Sequence, residues 1–197
     1  MFIHGLHSTQ AGYGPRAEAA ATELGATSLS FDLSGHGESE GDKHSITLRE
    51  HLAEALLAYD TLCEAGDVDA ERIGVAGASY GGYLAALLSG LRDPKRLLIR
   101  APALYPDDWL DLPPGARGER PEVPHSQALQ AIGRFAGEVL VLESEHDEVV
   151  PAAAVRAYVA SAPNARHEML AGAGHGLAEP EWEAAFVRWL LEWFRPL

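Results

Sequence analysis

Short apolar runs alternate with longer helix-period segments along almost the whole chain, and this alternation narrows the fold more than any other feature. The runs are Phe2–His4, Ser28–Asp32, Arg72–Ala76, Leu97–Ala101, Val139–Glu143 and His167–Leu170. They are short and apolar, with Val, Ile and Leu prominent, as strands covered on both faces require. Strand and helix in turn is the pattern of βαβ units. The expected fold class is therefore α/β, a three-layer αβα arrangement with a mainly parallel sheet of about six strands. A chain of 197 residues suits one domain, 1–197, and can bury a full core.

The helical segments carry their own stop and start signals. Arg16–Leu24 is Ala-rich and halts at Gly25, a C-cap residue. Thr47-Leu48-Arg49-Glu50 reads as a capping box, followed by Leu48, Leu52, Leu56, Tyr59 and Cys63 at spacings of three or four. Further helices are expected over Ser79–Leu91, Pro151–Ala160 and Pro180–Phe194. The last carries Trp182, Phe186, Trp189 and Trp193 on one face, read as a heavy helix face packed on the sheet. Residues 102–126 break the rhythm with six prolines and no strong period. A stretch that long is read as a short lid-like or binding insert.

Composition excludes several partners. Against 29 acidic residues stand 15 basic ones, a net charge of −14 with histidine neutral. That balance repels nucleic acid and anionic membrane surfaces. One cysteine cannot form an intrachain disulfide, and no cysteine cluster offers a zinc site. No apolar stretch is long enough to span a membrane, and the start, MFIHGLHS, lacks the basic region of a signal peptide. The expected location is cytoplasmic.

Chemistry concentrates at Gly77-Ala78-Ser79-Tyr80-Gly81, a Gly-x-Ser-x-Gly directly after an apolar strand and before a helical run. In a sharp strand-to-helix turn such a serine is exposed, and flanking glycines let strand and helix approach closely. The plain alternative is a glycine-rich packing turn. A serine needs a base and an orienting carboxylate. His175, in Gly174-His175-Gly176 after the last expected strand, falls at the carboxyl edge of the sheet, where sites in such sheets lie. His44, His51, His125 and His167 are read as ordinary surface residues. Among the carboxylates of 143–148, Asp147 is favoured because it stands three before Val150 at the entry to the next helix; Glu143, Glu145 and Glu148 are read as a solvated edge. Acyl transfer also needs donors for the developing oxyanion. The amide of Tyr80 is one, and that of Leu6, in His4-Gly5-Leu6-His7, is the second. This turn also explains His4 and His7 better than metal ligation does.

Four motifs now stand in order: His4-Gly5, then Asp32-Leu33-Ser34-Gly35-His36-Gly37-Glu38-Ser39, then the serine turn, then Asp147 and His175. In this the chain resembles the α/β-hydrolase superfamily of serine hydrolases over nearly its whole length. The second motif looks like that family's D-x-x-G-x-G-x-S loop. The resemblance implies Ser79 as nucleophile, His175 as base, Asp147 as orienting acid, and the Leu6 and Tyr80 amides as oxyanion donors. It implies no metal and no organic cofactor. Gly-Ala-Ser-Tyr-Gly-Gly-Tyr further resembles the elbow of prolyl-oligopeptidase-like enzymes, without their propeller. Family members usually carry two strands ahead of the His-Gly strand, which here opens at Met1; a minimal version of the fold, or further chain upstream, is the expectation. Where the family often has glycine three residues before the acid, this chain has Ser144. The insert is too short for a full cap domain.

The reaction so implied is hydrolysis of carboxylic esters of small neutral substrates through an acyl-enzyme, with Tyr105, Trp109 and Leu110 as pocket walls. A thioesterase or a small-peptide or aminoacyl hydrolase would use the same groups. A non-catalytic homologue that binds a ligand or partner is the reading from another class. The expected partner is a small acyl substrate, and an open sheet edge would suit a homodimer.

Overall fold

The computed structural model describes residues 1–197. Five strands form one parallel sheet: β1 (Phe2–Ile3), β2 (Gly74–Ala78), β3 (Arg96–Arg100), β4 (Glu138–His146) and β5 (Ala165–Gly174), side by side in chain order. Register aligns Ile3 with Gly77, Ala78 with Arg100, and Arg100 with Leu142. The carboxyl ends of β1, β2 and β3 thus stop at one edge, and whatever follows each strand meets there.

Six helices cover the sheet: α1 (Gly14–Leu24), α2 (Leu48–Cys63), α3 (Tyr80–Leu88), α4 (Gln127–Arg134), α5 (Ala152–Ser161) and α6 (Pro180–Phe194). Strand residues alternate between two cores. Val75, Leu97, Ile99, Val139 and Val141 face a cluster of 33 buried residues built with α2, α3, α4 and α5. Ala76, Leu98, Leu140, Leu142 and Leu170 face a thinner cluster of 12 shared with α1 and α6. Strands apolar on both faces are what produce this three-layer arrangement. In α6, Phe186 and Trp193 are buried and Trp182 and Trp189 half-buried against the same cluster, as the aromatic stripe predicts.

The capping box at Thr47 forms, with Thr47 Oγ1 accepting from the Glu50 amide and Glu50 accepting from the Thr47 amide. Gly25 closes α1 at φ 66°, a left-handed conformation that glycine adopts without strain.

Four expectations change. Ser28–Asp32 is not a full strand: it pairs through a single bridge, Ser30 with Phe2, because β1 beside it is only two residues long. The third expected strand shifts from Arg72–Ala76 to Gly74–Ala78, since the Asp69 side chain accepts from the Glu71 amide and winds 70–72 into a 3-10 turn. β4 and β5 run longer than their apolar cores, because each supplies the other's ladder past Leu142. Finally, α4 follows the proline-rich insert, with Ser126 as N-cap accepting from the Ala128 amide and Ala128 and Ile132 turned inward. No helix is long and apolar enough to cross a membrane.

Candidate active site

Ser79 sits between β2 and α3 at φ 53°, ψ −115°, a left-handed conformation rare for a residue with a Cβ. Strain of that kind costs about 1–3 kcal/mol and persists only where the surroundings fix it. Three backbone bonds do so. The Ser79 amide donates to the Arg100 carbonyl at 2.9 Å, and its own carbonyl accepts from Tyr83 at 3.1 Å and Ala103 at 3.0 Å. The two flanking glycines are steric necessities: a Cβ on Gly77 would collide with the Gly81 backbone, and one on Gly81 with the Ile3 carbonyl.

Three side chains the sequence singled out meet at the sheet edge. His175 Nε2 lies 3.1 Å from Ser79 Oγ, and its Nδ1 lies 2.9 and 3.0 Å from the two oxygens of Asp147. With Nδ1–H donating to the carboxylate, Nε2 is left to accept from the serine hydroxyl. Asp147 also accepts from the Val149 and Val150 amides at 2.9 and 2.8 Å. Burial pushes its carboxyl up, but the His175 bond and those amides outweigh it and hold Asp147 below its ordinary range.

The Leu6 and Tyr80 amides find no acceptor within the protein. Gly5 lies against the turn, close enough that a Cβ there would stand 3.6 Å from that of Ser79. The direction of the Leu6 amide follows from His4. Fully buried, His4 accepts from the Leu33 amide through Nε2 at 3.0 Å and donates from Nδ1 to the Gly5 carbonyl at 2.8 Å. In a trans peptide the Leu6 N–H points opposite to that carbonyl, away from His4. Burial holds His4 below its ordinary value, which favours the neutral ring this pattern needs.

The Asp32–Ser39 loop supports this turn from behind. Asp32 accepts from the Gln10 and Glu38 amides at 2.7 and 3.1 Å, Ser39 Oγ donates to the Asp32 carbonyl at 2.7 Å, and His36 reaches the Leu6 carbonyl through Nε2. His51, read from the sequence as a surface residue, is instead buried: its Nε2–H donates to the Ser34 carbonyl at 3.0 Å and its Nδ1 accepts from the Tyr80 hydroxyl at 2.8 Å. Its position among Leu48, Leu52 and Ala55 on the inward face of α2 was the available signal. Glu143 is likewise not solvated edge but paired with His167 at 2.8 Å.

Of the expected walls, Tyr105 stands edge-on to Tyr80 and Tyr83, with ring centroids 5.8 and 5.0 Å away. Trp109 lies 6.0 Å from Tyr105, at the end of a 3-10 turn. Leu110 is buried in the larger core, and its carbonyl accepts from the Arg49 amide at 3.0 Å. Arg100, which sequence reasoning missed, is buried beside the site and contacts the His175 carbonyl.

A model of the prolyl oligopeptidase family matches residues 48–96, the stretch that includes the serine turn. An uncharacterized protein of Mycobacterium tuberculosis is 32% identical over 178 residues, covering 84% of this chain and 59% of that protein. The chain thus spans about three fifths of the length of the curated relatives it matches. Among solved structures, a monoacylglycerol lipase of Paleococcus ferrophilus superposes with TM-score 0.78 at 19% identity, over 99% of this chain and 93% of that one. Est1E of Butyrivibrio proteoclasticus, solved with ferulic acid, gives 0.73 at 21% identity over 98% and 87%. Carboxyl esterase 2 of Tuber melanosporum gives 0.73 at 18% identity over 99% and 75%. A parallel sheet with helices on both faces, a strained serine at the strand-to-helix turn and these likenesses agree: the chain has the fold of the α/β-hydrolases.

Proposed function

We propose that the protein is a serine hydrolase that cleaves carboxylic esters of small neutral substrates through an acyl-enzyme. The observation that carries this reading is the continuous hydrogen-bonded line from Ser79 Oγ through His175 to Asp147, held at a strained turn.

In this mechanism Ser79 Oγ attacks the ester carbonyl while His175 Nε2 takes its proton. Asp147 keeps the proton on Nδ1 and stabilises the imidazolium that forms. The carbonyl oxygen becomes an oxyanion, received by the Leu6 and Tyr80 amides. His175 returns the proton to the departing alcohol, then takes one from water as its oxygen attacks the acyl-enzyme, and passes it to Ser79 Oγ as the acid is released. Tyr105, Trp109 and Leu110 would border the acyl or alcohol group, with Leu110 backing the aromatic pair. The match of residues 48–96 to a peptidase family favours, as a second reading, a small-peptide or aminoacyl substrate on the same groups.

Intact-mass labelling with a fluorophosphonate tests the proposal. One adduct on the wild type and none on Ser79→Ala is expected; a folded wild type that takes no adduct would overturn it. Matched ester, thioester and amide substrates then separate the acyl classes.

A further inference from the structure

We propose that Arg100 is a positioning residue of the Ser79–His175–Asp147 site, the one residue that fastens the base-bearing loop to the nucleophile's turn. The inference deepens the hydrolytic reading and rests on it. Arg100 ends β3 and acts with both its main chain and its side chain. Its carbonyl accepts from the Ser79 amide at 2.9 Å. Its guanidinium, through one nitrogen, donates to the His175 carbonyl at 2.9 Å and to Ser144 Oγ at 3.2 Å. Ser144 stands three residues before Asp147 on the strand that leads to it. Nucleophile and base are thereby each bonded to the same residue, and the strand that leads to the acid is bonded to it through Ser144.

Three features make this more than a satisfied core arginine. First, Arg100 is only 6% exposed, and its bonded partners are a hydroxyl and a carbonyl rather than a carboxylate; Nε has no partner at all. A buried cation without a paired anion is costly to keep. Second, the residue after it, Ala101, takes φ 43°, a left-handed backbone strained for alanine. That turn is followed by Ala103, whose amide returns to the Ser79 carbonyl at 3.0 Å. Third, His175 lies between Gly174 and Gly176, which leave its loop little stiffness of its own. A guanidinium on the His175 carbonyl supplies that stiffness. The other charged or titratable groups facing Arg100 are Tyr13 and Arg16 from the α1 side, Asp147, and Glu183 of α6. Glu183 is already engaged by Arg16 through two bonds of 2.7 Å. Arg100 thus places a positive charge within electrostatic reach of the Asp147 carboxylate.

The test compares the full chain with Arg100→Met, Arg100→Lys and Ser144→Ala. Circular dichroism melting checks folding; kcat and KM are read on p-nitrophenyl butyrate. For Arg100→Met we expect kcat to fall by about 10- to 100-fold, the range typical of partners that orient a metal-ligating histidine. KM should stay within about twofold, the signature of lost alignment rather than lost binding. Arg100→Lys should restore part of kcat. A folded Arg100→Met with wild-type kcat would overturn the proposal. If Arg100→Met does not fold, Arg100→Lys decides: full wild-type kcat overturns it, and reduced kcat at constant KM supports it. Ser144→Ala, which leaves the His175 contact in place, should lose less than Arg100→Met, or less than Arg100→Lys where Met does not fold; a larger loss would overturn the assignment to Arg100. Failure of the hydrolytic reading is seen separately, as a wild type that neither turns over nor takes a fluorophosphonate. In that event the His175 Nδ1–H proton resonance reads the positioning directly: shifted or broadened in the Arg100 variants it stands, and unmoved it falls.

Discussion

At Asp147 three donors converge on one carboxylate: the His175 ring and the amides of Val149 and Val150. Because these hold the folded carboxyl below its ordinary value of 3.8, the carboxylate contributes stability that is complete above that pH. The contribution is lost as pH falls through the lower folded value. Urea midpoints measured from roughly pH 5 down to pH 2 should therefore drop more steeply for the wild type than for Asp147→Asn, which has no carboxyl to titrate. Equal slopes would mean that the three donors do not discriminate carboxylate from acid. The same substitution should lower kcat on an ester by on the order of a thousandfold or more, since the amide leaves the ring in the wrong tautomer. Ser79, Asp147 and His175 could be singled out from the sequence because each sits in a short local pattern that reports its own turn. Arg100 and the His51–Tyr80 pair could not. Their partners lie 75 and 29 residues away along the chain, and a lone arginine at a strand end carries no periodic mark.

Among the elements, the turn from β2 into α3 depends most on one residue type. Gly77 is where the chain passes over its own next helix, and a methyl group there meets the Gly81 carbonyl with no flexible side chain to yield. Gly77→Ala should cost about 3 kcal/mol or more, at the severe end of single substitutions, and abolish serine labelling. Gly14→Ala is the control. Gly14 opens α1 at φ −50°, and a Cβ there meets nothing within 4 Å. Removing glycine's freedom in the unfolded chain should leave that variant unchanged or more stable by about 0.4–1 kcal/mol. Chemical denaturation of both measures the contrast, and comparable losses would remove the steric account of the turn. The elements themselves were largely legible, because apolar runs and caps are local. Their ends were not. β4 extends through Ser144, Glu145 and His146, and β5 on to Gly174, by pairing with each other, which no single-strand pattern can anticipate. The single bridge at Ser30 depends on how little of β1 lies beside it.

Taken whole, the molecule is an acidic body with its candidate site at one edge of the sheet. Several arginines are committed to carboxylates, Arg16 to Glu183, Arg92 to Asp60 and Arg96 to Glu138 among them. Such pairs cancel charge locally and leave the net −14 spread over the surface. A field of that sign lowers the local concentration of anionic substrates and leaves neutral ones unaffected. Salt shortens its reach, from a Debye length of about 30 Å at 0.01 M to about 8 Å near 0.15 M. The hydrolytic proposal therefore has a consequence at this scale. Consider two p-nitrophenyl esters of similar length, the butyrate and the negatively charged hemisuccinate. At low salt kcat/KM should favour the butyrate, and the hemisuccinate should gain on it as salt rises from about 0.01 to 0.5 M. The butyrate itself should change little over the same range. An unvarying ratio would mean that charges near the insert, where Arg117 and Arg120 are half-buried while Glu119 is exposed, override the net field at the site. Specificity would then be set by those side chains rather than by the acidic body, and Arg117→Gln with Arg120→Gln would be expected to restore the salt dependence.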